Sequence, residues 1–239
     1  MSDCQFTISI VALDNLGMTR ACVRSVLEGW AGAGAQIILT DNGSDDGTAD
    51  YFADLARERP NILIQQYPEN IGFIEPNRAA FRKAKGEYFV LLNNDCVVPQ
   101  TWLATMKVPF LADPKCAVTG NGGGELRESG LGGFKGRIDY IEGHCMMVRT
   151  DFVRAVEPNL FAKELVGAYG EDSYLCLQLR EAGYTIHVTP IEGLIHHGGA
   201  TAMMVPRVSE WLSLNHAVLR KRFGHYLKTH EFVSPNLHQ

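Results

Sequence analysis

The sequence predicts an α/β protein: one domain built on a mostly parallel sheet flanked by helices. Three observations carry that prediction. Short β-branched runs alternate with helix-period segments through the first half of the chain. Three of those runs end in acidic and amide residues instead of plain turns. The composition, 46% hydrophobic and 21% charged over 239 residues, is that of an ordinary globular chain able to bury a core without staples.

The elements follow in order. Phe6 to Ala12 is a β-branched strand, and Met18 to Trp30 carries apolar residues at helical spacing. Gln36 to Thr40 is the next strand, running into Asp41-Asn42-Gly43-Ser44-Asp45-Asp46-Gly47. Thr48 to Arg59 reads as a helix stopped by Pro60. Ile62 to Gln66 is a strand, Phe73 to Lys85 a helix, and Glu87 to Leu92 a strand that meets Asn93-Asn94-Asp95. Pro99 to Phe110 looks helical, with Pro99 at its start, and Cys116 to Gly120 closes the alternation. Such an order implies parallel strands covered on both faces and joined by right-handed crossovers.

The second half is organised differently. Asn121 to Gly136 holds seven glycines in sixteen residues and reads as a mobile loop, either a plain connection or a lid over a ligand. Ile141 to Arg149 is strand-like, and Asp151 is placed to cap a short helix. A helix runs from Glu171-Asp172 to a stop at Gly183, Thr185 to Thr189 is strand-like, and His196-His197-Gly198-Gly199 falls in a loop. The final helix, Val205 to Phe223, aligns Val208, Trp211, Leu212, Val218 and Leu219 ahead of Arg220-Lys221-Arg222. That stripe fits packing on the core, or a helix lying on a membrane surface.

Charge and cysteine usage narrow the function classes. With 22 Lys+Arg against 27 Asp+Glu, a net charge of −5 weakens a general nucleic-acid binder. No apolar run is long enough to span a bilayer, and Met1-Ser2-Asp3-Cys4 is no secretory start, so the expectation is a soluble, cytoplasmic protein. The six cysteines (Cys4, Cys22, Cys96, Cys116, Cys145, Cys176) lack metal-finger spacing and read as reduced thiols inside apolar segments.

Ligands of an open parallel sheet sit beyond the carboxyl ends of its strands. Asp14, Asp41 with Asn42, and Asn93-Asn94-Asp95 occupy three such ends. Each alone fits a turn. Together they fit hydrogen bonding to a nucleobase and ribose, with a carboxylate on a divalent ion. No glycine-rich phosphate loop follows the first strand, so a diphosphate would have to lean on Mg²⁺ or Mn²⁺, for which Asp95 is the leading candidate. Glu171-Asp172 is either a complement to a helix dipole or a general base. His196-His197 is either solvent-facing or metal-ligating.

Read together, these segments resemble the inverting glycosyltransferases of family 2, on their rhamnosyltransferase-like branch, which use a GT-A (Rossmann-like) fold. The resemblance runs from Phe6 to Thr201. Thr40-Asp41-Asn42-Gly43-Ser44-Asp45-Asp46-Gly47-Thr48 is similar to the family's first nucleotide-binding segment, and Asn70-Ile71-Gly72-Phe73 with Asn77 to its Asn-x-Gly-Phe segment. Leu91-Leu92-Asn93-Asn94-Asp95 stands at its Asp-x-Asp motif, and Gly143 with Met146-Met147-Val148-Arg149 at its acceptor-side strand. Tyr169-Gly170-Glu171-Asp172 resembles the Glu-Asp helix start, and His196 with Gly198-Gly199 and Thr201 the His-x-Gly-Gly loop.

The resemblance implies roles. Asp14, Asp41, Asn42, Asn70, Gly72, Asn77, Asn93, Asn94 and Gly143 would line the substrates, with Asp41 on the nucleobase and Asn93 and Asn94 on ribose and phosphate. Asp95 and His196 would hold Mn²⁺ or Mg²⁺ on the diphosphate. Asp172 would be the general base and Glu171 would orient the acceptor. Two positions depart from the pattern: Asn93 replaces the first Asp of the Asp-x-Asp motif, and Tyr174 stands where many relatives carry a further Asp. Residues 1–120 would form the nucleotide-sugar half, 121–204 the acceptor and catalytic half, and 205–239 a helix and tail, all within one domain.

The implied partners are a nucleotide-sugar donor, UDP- or dTDP-linked, and a glycan, lipid-linked or other hydroxyl acceptor. The last helix would supply any peripheral membrane contact, and the charge balance disfavours a nucleic-acid acceptor. Two alternatives compete. A nucleotidyltransferase would want a basic, glycine-rich loop after the first strand, which is missing. A catalytically inactive sugar-nucleotide-binding protein would leave Glu171-Asp172 without a purpose.

Overall fold

The computed structural model describes residues 4–29, 34–127, 130–133, 138–198 and 205–229. Its frame is a seven-stranded sheet. Strands β1 (Phe6–Ala12), β2 (Ala35–Asn42), β3 (Ile62–Tyr67) and β4 (Tyr88–Asn93) are parallel in the spatial order β4-β1-β2-β3. Between them run α1 (Leu16–Glu28), α2 (Thr48–Glu58) and α3 (Ile74–Lys83). Side chains alternate across the sheet, so both faces are buried: Ile37, Leu39, Val90 and Leu92 pack on one side, Ile38, Phe89 and Leu91 on the other. Each such side chain contributes about 1.5–3 kcal/mol when fully buried. This is the doubly covered α/β sheet expected from the alternation.

The sheet is mixed, however. After β4 come β5 (Cys96–Val97), α4 (Trp102–Ala112) and β6 (Cys116–Gly120). The chain then forms a small antiparallel sheet from β7 (Gly123–Arg127), β8 (Gly130–Gly133) and β9 (Tyr140–Ile141). It returns as β10 (Cys145–Arg149), which inserts between β4 and β6 antiparallel to both. The physical reason is the connection. A parallel neighbour needs a crossover, usually a helix, and among the described residues none lies between β6 and β10. The reversal has a consequence for chemistry, because the start of β10 lies beside the carboxyl end of β4.

Other expectations are corrected in detail. The glycine-rich stretch carries β7 and β8 and is no plain loop: a Cβ on Gly124 would lie 2.3 Å from the Tyr140 hydroxyl, so glycine there permits close strand approach. Pro99 precedes α4, its carbonyl accepting the Trp102 N–H (3.2 Å). Ile141 to Arg149 is split by a turn at 142–144, and Asp151 lies inside the first turn of α5 (Thr150–Val156) instead of capping it. His196 belongs to the two-residue strand β12 (Ile195–His196), paired with β5.

The remaining elements are α6 (Glu171–Glu181), β11 (Thr185–Val188) beside β6, and α7 (Val208–Thr229). Trp211, Asn215, Leu219 and Phe223, four residues apart, form the buried stripe of α7, so the stripe is accounted for by core packing. Among the described residues no helix is long and apolar enough to cross a membrane. The cysteines are free, and all but Cys4 are buried.

Candidate active site

The donor-side loops hold one another. After β1, Asp14 and Asn15 adopt left-handed backbone (φ 50° and 56°). The turn is latched to the segment after β2: Ser44 Oγ accepts the Asp14 N–H (2.9 Å), Asp14 Oδ1 accepts the Asp45 N–H (2.9 Å), and Asp46 Oδ2 accepts the Leu16 N–H (2.7 Å). Asp41, nearly buried, accepts the Ser44 N–H on Oδ1 (3.1 Å). Asn42 donates to Asn70 Oδ1 and to the Gly72 carbonyl (both 2.9 Å), while its own Oδ1 accepts the Ile71 N–H (3.1 Å). Gly72 is required by geometry: at φ +87° a Cβ would lie 2.5 Å from the Gly167 backbone. Asn77 is fully buried, accepting from Ser9 Oγ (2.7 Å) and donating to the Phe73 carbonyl (2.8 Å). Asn42, Asn70, Gly72 and Asn77 therefore shape the loops, and their polar groups are already engaged.

The end of β4 is different. Asn94 donates to Thr19 Oγ1 of α1 (3.0 Å), and the Asn93 N–H donates to the His144 carbonyl (2.9 Å). Asp95 is buried, yet its Oδ1 has no hydrogen-bond donor. His196 Nε2 lies 3.4 Å from that oxygen, at ion-pair distance but without hydrogen-bond geometry. The β5–β12 pairing places it there, together with the His197 N–H on the Asp95 carbonyl (3.1 Å). Burial pushes the Asp95 carboxyl up, but His196, a backbone N–H and His144 together hold the group below the usual range.

Asp95, Cys96 and His196 each offer a ligand atom, all within 4.8 Å of one another. A carboxylate oxygen without a donor beside an imidazole suits a hard divalent cation completed by phosphate oxygens. Cys96 does not belong to that set chemically. Burial drives its thiol pKa far up, and its Sγ–H is directed at the His144 carbonyl (3.5 Å), so it forms a wall of the site.

On the opposite side, α6 starts with Glu171, which is buried, and Asp172, which is partly exposed. Asp172 Oδ2 accepts the Gly143 N–H (3.1 Å), and Oδ1 accepts the Ser173 N–H (2.6 Å) and hydroxyl (3.1 Å). Glu171 Oε2 is buried with no partner. Burial raises the pKa of both carboxyls, and the charge of Asp172 raises Glu171 further. Gly143 faces the pair: a Cβ there would lie 3.7 Å from Asp172 Cβ and 3.8 Å from Glu171 Oε1.

Sequence reasoning missed His144. Its ring stacks on His196 at 4.3 Å and 7°, its Nδ1 lies 3.3 Å from Glu142 Oε2, and its Nε2 is buried without a partner. No local pattern marks it, because only the reversed strand β10 carries residues 143–144 to the end of β4. The loop residues Gly199 and Thr201 lie outside the described residues.

The chain is similar to known proteins in sequence and in fold. An uncharacterized protein, y4gI of Sinorhizobium fredii, is 26% identical over 263 residues, which cover 96% of this chain and 28% of that protein. The succinoglycan biosynthesis protein ExoA of Rhizobium meliloti is 22% identical over 223 residues, covering 83% of this chain and 64% of that one. The chain thus spans about a quarter of the first relative and under two thirds of the second. Among solved structures, the mannosyltransferase PcManGT from Pyrobaculum calidifontis, in complex with GDP-Man and Mn²⁺, superimposes with a TM-score of 0.67. It is 17% identical, and the match covers 92% of this chain and 65% of that one, so the GT-A fold is shared. The sequence model of glycosyl transferase family 2 matches residues 7–153, more than half of the chain, and the chain belongs to that family.

Proposed function

We propose that the chain transfers a sugar from a nucleotide-diphosphate sugar to an acceptor hydroxyl, with inversion at the anomeric carbon and a divalent cation on the diphosphate. One observation carries this. On a single short stretch, the Gly143 N–H holds Asp172 while the carbonyl of the next residue, His144, holds the Asn93 N–H at the end of β4. The acid pair and the Asp95–His196 pair are thereby fixed against each other on the same strand start. An in-line displacement needs that spacing of roles, with a base on one side of the anomeric carbon and charge neutralisation on the other.

Asp172 is the base in this proposal. Three donors stabilise its carboxylate, whereas Glu171 has an oxygen without a donor, so the pair's first proton leaves Asp172. Glu171, kept protonated by burial beside that charge, donates a hydrogen bond that orients the acceptor. Asp95 and His196 would hold Mn²⁺ or Mg²⁺, which when bound acts as a Lewis acid on the diphosphate. Asp41, near the end of β2, is assigned to the nucleobase in this proposal; UDP and dTDP are the proposed donors, and the GDP-Man bound by PcManGT makes a guanosine arm necessary in any test.

The test is thermal shift against UDP-, dTDP-, GDP- and CMP-sugars with and without Mn²⁺, followed by Mn²⁺ titration read by electron paramagnetic resonance with the nucleotide present. A metal-dependent shift with one base is expected, since a ligand at 100 times its Kd stabilises by about 2.7 kcal/mol. Asp95→Asn should weaken Mn²⁺ binding about tenfold or more. Unchanged Mn²⁺ binding in that variant would remove Asp95 from the metal site.

A further inference from the structure

The acceptor side contains a feature that neither the acid pair nor the metal pair explains. Tyr169, two residues before Glu171, holds its backbone in the left-handed region (φ 73°), which costs a residue with a Cβ about 1–3 kcal/mol. Its side chain is also left 38% exposed, although Leu165, Gly170 and Glu171 around it are buried. A strained backbone that leaves more than a third of a large residue in solvent is not accounted for by core packing alone. The surroundings nevertheless enforce it.

The enforcing element is α7. Asn215, fully buried, donates through Nδ2 to the carbonyls of Val166 (2.8 Å), Ala168 (3.1 Å) and Tyr169 (2.8 Å), and accepts the Val166 N–H on Oδ1 (2.9 Å). Trp211, one turn earlier, presses on Gly167, where a Cβ would lie 2.0 Å from the indole. The Gly167 carbonyl in turn accepts the Phe73 and Ile74 N–H groups (2.7 and 2.9 Å) at the start of α3. One amide side chain thus fixes the whole segment that leads into Glu171, and ties it to the donor-side helix. The phenol lies in the field of both half-sites: burial first, then the charges of Glu171 and Asp95, raise its pKa.

We propose that Tyr169 is an acceptor-contacting residue that stacks on a pyranose ring, held in position by Asn215, and that the acceptor is therefore a saccharide. This rests on the glycosyltransferase function proposed above and names its acceptor class. A pyranose presents an apolar C–H face and a hydroxyl edge, and a tyrosine half out of solvent matches both, with ring face and phenol. A protein or acyl-chain acceptor offers the same hydroxyl but no such face. Asn215 is a positioning residue here, acting through the backbone of Tyr169.

The experiment uses the full chain with the nucleotide that shifts its melting, Mn²⁺, and methyl pyranosides of the gluco, galacto, manno and rhamno series, with sorbitol as a hydroxyl probe lacking the ring. Saturation-transfer NMR reads contact at the ring C–H protons. The expected result is transfer to at least one pyranoside and not to sorbitol, kept in Tyr169→Phe and weakened roughly tenfold in Tyr169→Leu. Asn215→Ala should copy the Tyr169→Leu loss. The nucleotide-induced shift, unchanged in all variants, certifies their fold and donor site. Equal transfer in Tyr169→Leu and wild type overturns the assignment of Tyr169. A nucleotide shift without pyranoside contact overturns the saccharide acceptor and leaves the glycosyltransferase proposal standing. Absence of any nucleotide shift in the wild type removes both.

Discussion

The two sides of the crevice use the same kinds of residue in opposite ways. On the donor side, Asn42, Asn70, Asp14 and Asp46 spend their polar atoms on one another's loops. Around the point where the end of β4 faces the start of α6, Asp95 Oδ1, Glu171 Oε2 and His144 Nε2 are buried with no hydrogen-bond partner. A buried polar atom left unmet costs about 1–3 kcal/mol, so three together are expensive unless a ligand completes them. The difference teaches where shape ends and chemistry begins. Satisfied amides and carboxylates build the walls of the site, and unsatisfied ones wait for substrate, metal or proton.

If that division holds, the largest effect belongs to the acid pair. Asp172→Asn should lower the transfer rate by about 10²–10⁴-fold, the usual worth of a positioned base. Its shape and neighbours are kept, so the nucleotide-induced thermal shift should stay at the wild-type value. Near-normal turnover would take Asp172 out of the mechanism and break the comparison at its strongest point.

Next in size is the stability that the same pair forfeits. Burial and the neighbouring charge raise Glu171 from 4.5 to about 8, so the folded state keeps a proton that the unfolded chain has lost. Native protons exceed unfolded ones between those values, and stability falls as pH rises. The contribution is fully present below pH 4.5 and is lost as pH passes through 8. Glu171→Gln removes this dependence. Its melting temperature should match the wild type near pH 4.5 and exceed it increasingly toward pH 8, while transfer declines, a trade typical of active sites. Parallel melting curves for the two proteins across that range would show that Glu171 ionises freely.

The donor side should respond in stability alone. Asn42→Ala frees the Asn70 side chain, the Gly72 carbonyl and the Ile71 N–H at once. A loss of about 2 kcal/mol is expected, seen as a drop of roughly 4–8 °C in melting temperature for a chain of this size. Donor affinity of the folded fraction should change little. A large loss of affinity without a change in melting would move Asn42 into the group that touches ligand.

Most of the frame was legible in the sequence because it is local. The strand after Glu87 announces itself by five apolar residues, and its functional end by Asn93-Asn94-Asp95. Helix ends lay within about three residues of their expected places, since caps and prolines act over one turn, except that α7 runs six residues past the expected end at Phe223. The parts that escaped depend on contacts far apart in the chain. Strand direction at β10 is set by the connection before it, which runs through the short strands β7, β8 and β9, and the glycines of β7 read as mobility when they serve close packing against Tyr140. His144 reaches the site only through that reversed strand. Asn215 meets Tyr169 across 46 residues, and an asparagine in mid-helix signals nothing until its partners are known. The site residues carried by the family resemblance stand on strand ends, helix starts and the loops beside them, but the resemblance does not separate those that bind from those that brace.

Asn94 stands on the boundary between the two groups, and it gives the smallest and most discriminating test. The family resemblance places it on ribose or phosphate, while the structure has its amide donating to Thr19 Oγ1 inside the protein. Thr19→Val keeps the volume and removes the acceptor, stranding a buried N–H at a cost of about 1 kcal/mol, or roughly 2–4 °C in melting temperature. As a brace, Asn94 would then lower stability and leave donor affinity alone. As a ligand restrained by Thr19, it would turn toward the crevice, and donor affinity would rise while stability fell. The satisfied hydrogen bond argues for the first outcome. The second would mean that a satisfied amide in this fold can still be a binding group, and that the boundary between wall and chemistry runs through the rotamer of one side chain.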